Sequence, residues 1–370
     1  MKQTLSFVGT ITAVTPLAVS RPNDNFPGGG HSDKMQRLPR AGAKHQDTPV
    51  FFPGSTLNGA IRRAATRVVR RALTKTNGDE NPFSMDDFYM LVQGVDTADI
   101  ASTEGNTSGL VAEEGELREA NPFISLFGRW GLPGHLGVSD AMPEGLDNAV
   151  MYVTGNGARV NEWTRHPEAI NFIRPEDRDR IKKVLVEDSL AQKDIAEMKD
   201  QVKGLKKELR GSDEDEKAGI NKTITNIESE IDAIKKSKAG AKESIQRPLD
   251  GYECIAPGTD MTHKMMLTNA SQIELGLLIH TLAEFSRDPR LGAHRRHGAG
   301  EVKAFWDVKV RPEGSWKPVT LGRVTLSWDG FEIEDLTEDK VLTTAAEEFE
   351  RAIANLEENG INFLRFSKIA

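Results

Sequence analysis

The stretch VFFPGSTLNGAIRRAATRVVRRALTK, residues Val50–Lys75, is expected to decide the fold. It begins as a short apolar strand. Pro53 and Gly54 then turn the chain, because proline cannot donate to a strand ladder and glycine readily adopts a positive φ. Ser55 or Thr56 is predicted to cap a helix by accepting a hydrogen bond from a free backbone N–H. Apolar spacings of three and four then predict an amphipathic helix with one buried stripe, which consists of Leu57, Ile61, Ala64, Ala65, Val68, Val69, Ala72 and Leu73.

The opposite face of this helix carries six cations and no acid, namely Arg62, Arg63, Arg67, Arg70, Arg71 and Lys75. One interpretation is a solvated face on a core helix, which is what charge runs usually are. The other is a phosphate-binding surface. A helix N-terminus directs free N–H groups at an anion, and guanidinium groups bind phosphate bidentately. Under the second interpretation the helix suits a phosphate backbone.

Composition bounds the class of protein. The chain has 370 residues, a net charge of −8, 38% hydrophobic and 28% charged residues, which predicts a soluble protein with one or two cores. No run approaches the roughly 18–20 apolar residues of a membrane span. The single cysteine, Cys254, excludes an internal disulfide and fits a reducing, cytoplasmic compartment. Because the acids cluster near residues 213–216 and 332–358, the net charge still permits a local basic groove.

Three further segments combine basic residues with glycine or aromatic residues. The polar segment Arg21–Gln46 contains Gly28–Gly30 and is expected to be a loop that orders on a ligand. The segment RDPRLGAHRRHGAG, Arg287–Gly300, is a basic loop punctuated by glycine. In Asn148–Pro175, aromatic residues interleave with cations. This pattern suits stacking on bases, and a half-buried hairpin with snorkelling arginines explains it equally well.

The sequence between residues 181 and 241 changes character. Apolar residues recur at spacings of four and three on both sides of Gly211–Gly219, which predicts an antiparallel coiled-coil hairpin of two helices. We interpret residues 181–243 as an insertion, because the alternation of strands and helices resumes after it. Long surface insertions cost little loop-closure entropy. Residues 336–370 are expected to carry an acidic C-terminal helix.

The remaining element order predicts the fold class. Without the hairpin, two helices alternate with several strands, which favours an α+β protein with a ferredoxin-like sheet. RNA-recognition modules share this architecture. Fold alone does not establish function.

Three stretches, in this order, resemble the RAMP superfamily of CRISPR effector proteins, and specifically the repeated backbone subunit that lines the guide RNA. They are the F-P-G-S-x-L-x-G-x-x-R motif Phe52–Arg62, the L-F-G…V-S-D-A segment Leu126–Ala141, and the helix Leu275–Phe285 with the glycine-rich loop Leu291–Val302. The resemblance covers about residues 1–310. The inserted hairpin and the long Arg21–Gln46 loop look most like the type IV branch, with type III as the near relative.

The resemblance implies a hand-shaped subunit. An RRM-like palm, residues 1–150 and 250–335, would hold the guide backbone, and a thumb, residues 151–260, would kink the RNA. Copies would stack head to tail into a helical filament. The implied RNA-binding residues are Ser55, Asn58, Arg62, Arg63, Arg67, Arg129, Arg295, Arg296 and His297, and the implied thumb residues are Tyr152, Trp163 and Arg165.

The resemblance also implies the partners. These are guide RNA (crRNA), a target nucleic acid that pairs with the guide, further copies of the chain, and other effector subunits, a helicase among the candidates. A membrane, a cofactor and a bound metal are not expected.

Two alternatives compete with a non-catalytic subunit. Type III relatives cut target RNA with an aspartate in the loop before the P-G-S motif, and Asp33 is the candidate here, where it would bind a metal or orient the 2′-hydroxyl. Asp33 is one residue out of the family register, and a loop acid bonded to Lys34 or Arg37 is the other interpretation. The third hypothesis is a coiled-coil interaction protein whose basic surfaces are incidental.

Overall fold

The computed structural model describes residues 2–19, 38–40, 49–78, 81–95, 111–145, 149–153, 175–209, 214–237 and 252–366. The chain divides into two compact units. The first comprises Met1–Val153 and Tyr252–Ala370, and the second comprises Thr154–Gly251. No helix among the described residues is long and apolar enough to cross a membrane.

Eleven strands and eight α-helices are described in these ranges. The strands are β1 (Gln3–Ala13), β2 (Gly128–Arg129), β3 (Leu132–Pro133), β4 (Leu136–Val138), β5 (Met142–Pro143), β6 (Val150–Val153), β7 (Tyr252–Ile255), β8 (Asp260–Ala270), β9 (Val302–Val310), β10 (Val319–Ser327) and β11 (Gly330–Asp335). The helices are α1 (Gly54–Asn77), α2 (Met85–Gln93), α3 (Val111–Ala120), α4 (Pro122–Phe127), α5 (Pro175–Glu208), α6 (Glu214–Ser237), α7 (Gln272–Phe285) and α8 (Val341–Ala354).

The main sheet of the first unit is antiparallel, with the strand order β11-β10-β9-β1-β8-β4 and with β5 also paired to β8. Its central part, β9-β1-β8-β4, has α1 between β1 and β4 and α7 between β8 and β9. This is the split β-α-β-β-α-β arrangement of ferredoxin-like folds. The predicted α+β, ferredoxin-like sheet is therefore confirmed.

One hydrophobic core joins this sheet to its helices. Strand β8 shows why: Met261, Met265 and Leu267 are buried while Thr262 and Lys264 between them are exposed, so one face is apolar. All eight residues of the predicted α1 stripe are buried in the same core. Helix α8 packs against α7 and belongs to the same unit.

The start of α1 is fixed by a distant carboxylate. The helix begins at Gly54, and Asp140 Oδ1 accepts a hydrogen bond from its backbone N–H at 2.7 Å. The prediction that Ser55 or Thr56 caps the helix is wrong, because the N-cap residue is Pro53, whose side chain makes no cap bond. A Cβ at Gly54 would lie 2.6–2.7 Å from backbone atoms of residues 138 and 139, so this packing requires glycine.

The second unit contains α5 and α6, which pack on one another. Lys206 Nζ donates to Glu228 Oε1 at 3.0 Å across the pair. Val202, Ile224 and Ile231 are buried, as expected for seam positions. The coiled-coil character of this pair and its origin as an insertion stay predictions.

Gly54→Ala is expected to lower the free energy of unfolding by about 1–3 kcal/mol, because the added methyl group would overlap backbone rather than a flexible side chain. Gly59→Ala, on the same helix, is the matched control. Its Cβ would meet only Arg63 Nη1 at 3.5 Å, and alanine favours a helix over glycine by up to about 1 kcal/mol. Urea denaturation followed by circular dichroism measures both. A Gly54→Ala variant as stable as the wild type would contradict the close approach of α1 to the end of β4.

Candidate nucleic-acid interface

A groove of about 360 Å³ lies between the outer face of α1 and the segment that follows α7. We call it the arginine groove. Its charged lining consists of four guanidinium groups and two carboxylates, from Arg63, Arg67, Arg287, Arg295, Glu284 and Asp288. Positive charge is therefore in excess there, although the whole chain is negative.

Helix α1 contributes two of these arginines because residues four apart lie on the same side of an α-helix. Arg63 and Arg67 are four residues apart, so they lie on the same side of the helix, and both are exposed. The buried stripe holds the other side against the core, which forces this pair outward. A second groove of about 310 Å³ includes Arg71 and Lys75 on the next turns of α1 and shares Glu284 and Arg287 with the first.

Glu284, on α7, anchors three of the arginines. Its carboxylate is 7% exposed; Oε1 lies 2.8 Å from Arg67 Nε, and Oε2 lies 2.6 Å from Arg71 Nη2 and 3.3 Å from Arg287 Nε. By distance these are ion pairs, although Oε2 accepts no well-aligned hydrogen bond from the described residues. The three arginine side chains remain about half exposed or more. One carboxylate thus holds three cations in place and leaves donors available to a ligand.

Arg295 comes from the glycine-rich loop between α7 and β9, which we call the glycine loop (residues 287–300). The loop is tied down by hydrogen bonds from Leu291 N to Gly300 O at 2.8 Å and from Gly300 N to Pro16 O at 2.9 Å. Gly292 has φ 70°, and a Cβ there would lie 2.0 Å from Ala18 O, so only glycine fits. The loop therefore presents Arg295 to the groove from a fixed backbone.

The electrostatics of Arg295 point to an anion site. Burial lowers the pKa of its guanidinium, the charges of Arg63, Arg290 and Arg67 lower it further, and Asp288 opposes them. Cations that repel one another would gain from an anion placed between them. A phosphate group in the groove would supply that charge.

Three aromatic rings stack beside Arg295. Tyr252 and His294 have ring centroids 4.0 Å apart at 11°, and His294 and His297 are 6.1 Å apart at 25°. Burial, and then the nearby His297, lower the pKa of His294, which favours its neutral form. His297 is exposed at the end of the stack.

Arg62 requires a correction to the predicted site. It is only 7% exposed, and it donates to the carbonyl oxygens of Met90, Leu91, Phe127 and Gly128 at 2.8, 2.6, 3.1 and 2.9 Å. Its guanidinium carbon also lies 5.3 Å from the Phe123 ring centroid. Burial lowers its pKa to about 10, so it stays protonated at neutral pH. Because its donors point into the protein, Arg62 positions α1 rather than facing a phosphate.

The other predicted residues are placed as follows. Ser55 is exposed at the start of α1, and Asn58 is half buried with an Oδ1 that accepts no hydrogen bond from the described residues. Arg129 donates to Trp130 O at 3.0 Å, and it does not line the arginine groove. Arg296 shares the turn of Arg295 and His297, and Tyr152 is exposed on β6.

Trp163, Arg165 and Asp33 lie outside the described residues. Within the described ranges, no group of three or more His, Cys, Asp or Glu residues could hold a metal ion.

The groove also contains residues that the sequence analysis did not select. Arg287 lies in the basic loop Arg287–Gly300 but was not among the predicted RNA-binding residues. Glu284 carried a usable signal, because it is an acid in the apolar helix Gln272–Phe285, where a buried charge needs a cationic partner.

Arg62→Met is expected to lower the free energy of unfolding by about 3 kcal/mol or more, because it leaves buried carbonyl groups without donors. The adjacent Arg63→Met is the control; Arg63 is exposed, so its loss should change stability by about 0.5 kcal/mol or less. Urea denaturation of both variants separates the two roles. Equal stability of the two variants would contradict the inward assignment of Arg62.

Comparison with known proteins identifies the family. The RAMP superfamily model matches residues 10–303, well over half of the chain. The match spans α1, β8, α7 and the glycine loop, and with them both sides of the arginine groove. A search of curated proteins found no match. The chain therefore belongs to the RAMP superfamily of CRISPR-associated proteins, which implies an RNA-binding function.

Proposed function

We propose that this chain is a non-catalytic backbone subunit of a CRISPR effector complex, and that it binds guide RNA through phosphates in the arginine groove. The observation that carries the proposal is the meeting of Arg63 and Arg67 on α1 with Arg295 on the glycine loop. These residues are far apart in sequence. Arg63 and Arg67 directly follow the first family-like motif, and Arg295 lies within the third.

The chemistry of the groove favours phosphate over base edges. Guanidinium groups bind phosphate oxygens with paired, charge-assisted hydrogen bonds. Contacts to phosphate position a nucleic acid without reading its sequence. A subunit that must accept any guide needs this kind of binding. Arg71 and Lys75 extend the cationic surface along α1, so more than one phosphate can be held.

The finer parts of the proposal rest on the resemblance of the motifs. Residues 1–150 and 250–335 would serve as the palm, and residues 151–260 would supply the thumb. Copies would assemble head to tail along the guide, which would then pair with its target. The type IV branch and a helicase partner stay predictions, as do cleavage through Asp33 and the coiled-coil interaction hypothesis.

The direct test is the affinity for two guide RNAs of unrelated sequence, measured by fluorescence anisotropy. The Arg63→Gln/Arg295→Gln double variant is expected to bind both about tenfold or more weakly, by the same factor, because charge-assisted hydrogen bonds contribute about 1.5–3 kcal/mol each. Arg351→Gln, an exposed arginine on α8, is the control and should bind like the wild type. Unchanged affinity, or a loss confined to one guide sequence, would contradict the proposal.

Assembly is tested separately by sedimentation of the full chain with RNAs of increasing length. A filament predicts particles whose mass rises with RNA length and falls after RNase treatment. One protomer per RNA at every length would contradict the filament and leave the phosphate groove intact as a proposal.

A further inference from the structure

A third groove borders the glycine loop, at the turn between β10 and β11. It measures about 460 Å³, and we call it the indole pocket. Its side chains include Trp328 from the turn and Arg290 from the loop, with Glu301, Lys303 and Asp329 around them. The turn lies outside residues 10–303, so the family match does not account for it.

Trp328 is unusually placed for a large apolar side chain. It is one of two residues between the paired Ser327 and Gly330, and its indole is 57% exposed. Asp329 N donates to Ser327 Oγ at 3.1 Å, which orders the turn. An indole held at a hairpin tip over an open groove offers a flat face to a ligand.

Arg290 is held against this indole. Its guanidinium carbon lies 5.9 Å from the Trp328 ring centroid, within range of a cation–π contact. Its Nε pairs with Asp288, and its Nη1 donates to Arg295 O at 3.3 Å. Arg290 therefore links the indole pocket to the loop segment that carries Arg295 into the arginine groove.

The arginine groove and the indole pocket differ in charge, and the difference matches that between the phosphate and the base of a nucleotide. The arginine groove has more cations than acids, which suits phosphate. In the indole pocket, Arg290 and Lys303 balance Glu301 and Asp329, which suits a neutral base. Carboxylates can accept hydrogen bonds from the amino group of a base, and indole faces stack on bases of any sequence.

From this juxtaposition we infer that the indole pocket is a base-stacking subsite, in which Trp328 and Arg290 hold an RNA base whose strand lies with its phosphates in the arginine groove. The inference rests on the proposed function and adds the residues that order the bases. It assigns the β10–β11 turn a role in binding single-stranded RNA.

The test compares oligouridine with an abasic ribose-phosphate oligomer of equal length, using the full chain and fluorescence anisotropy. Trp328→Ala is expected to weaken binding of oligouridine by roughly 5- to 150-fold, the range of one base–aromatic stack. It should leave binding of the abasic oligomer unchanged. Trp328→Phe should restore most of the affinity. Trp316→Ala is the matched control, because it removes an indole that is 92% exposed on the β9–β10 connection.

The possible results separate this inference from the proposed function. If Trp328→Ala binds both oligomers like the wild type while Arg63→Gln/Arg295→Gln binds weakly, the subsite is overturned and the phosphate groove stands. If the arginine variant also binds normally, both fail. A Trp328→Ala variant that changes only the sedimentation of the protein marks a protein contact and likewise overturns the subsite.

Photo-crosslinking does not depend on any variant folding. Wild-type protein irradiated with 4-thiouridine RNA should give a crosslinked peptide that contains Trp328. A peptide map with crosslinks elsewhere and none in residues 324–335 would overturn the inference.

Discussion

The buried guanidinium of Arg62 is the interaction on which the rest of the site depends. Its donors reach carbonyl groups at the ends of α2 and α4, where most helix carbonyls have no intrahelical partner. A cation there also complements the negative ends of both helices. Because α1 is fixed in this way, its next residue, Arg63, must point outward. Two neighbouring arginines thus have opposite roles, one in the core and one in the groove.

Glu284 is the second constraint, and it explains how a chain of charge −8 offers a cationic surface. A buried carboxylate without partners would be strongly unfavourable, so it recruits Arg67, Arg71 and Arg287. The same contacts reduce the freedom of three long side chains before any ligand arrives. Preordered cations lose less entropy on binding than free ones. Glu284 therefore lowers the net positive charge of the surface. It also holds the three arginine side chains in positions from which they can bind a ligand.

The parts of the structure that could be predicted are those with a periodic signal. The apolar stripe of α1 and the order of strands and helices followed from spacing alone, and both led to the ferredoxin-like sheet. The cap on α1 could not be found in this way, since Asp140 lies 86 residues from Gly54. Arg62 was placed on the wrong face for a similar reason. It borders the buried stripe, and its carbonyl partners come from helix ends that carry no periodic pattern.

The site was anticipated only in part. Resemblance of motifs indicated that α1 and the glycine loop act together, and the structure brings Arg63, Arg67 and Arg295 to one groove. The partners that set the local charge, Glu284 and Asp288, were missed. Glu284 was detectable as an acid in an apolar helix, but neither sequence position shows which arginines it meets. Packing between distant segments determines which of several arginines faces a ligand.

The central claim is that RNA phosphates lie in the arginine groove, and the salt dependence of binding tests it most directly. The logarithm of the affinity should fall linearly with the logarithm of salt concentration, with a slope of about −0.7 per phosphate held on a single strand. The Arg63→Gln/Arg295→Gln variant should have a slope shallower by the equivalent of one or two phosphates. A slope identical to that of the wild type would contradict the account.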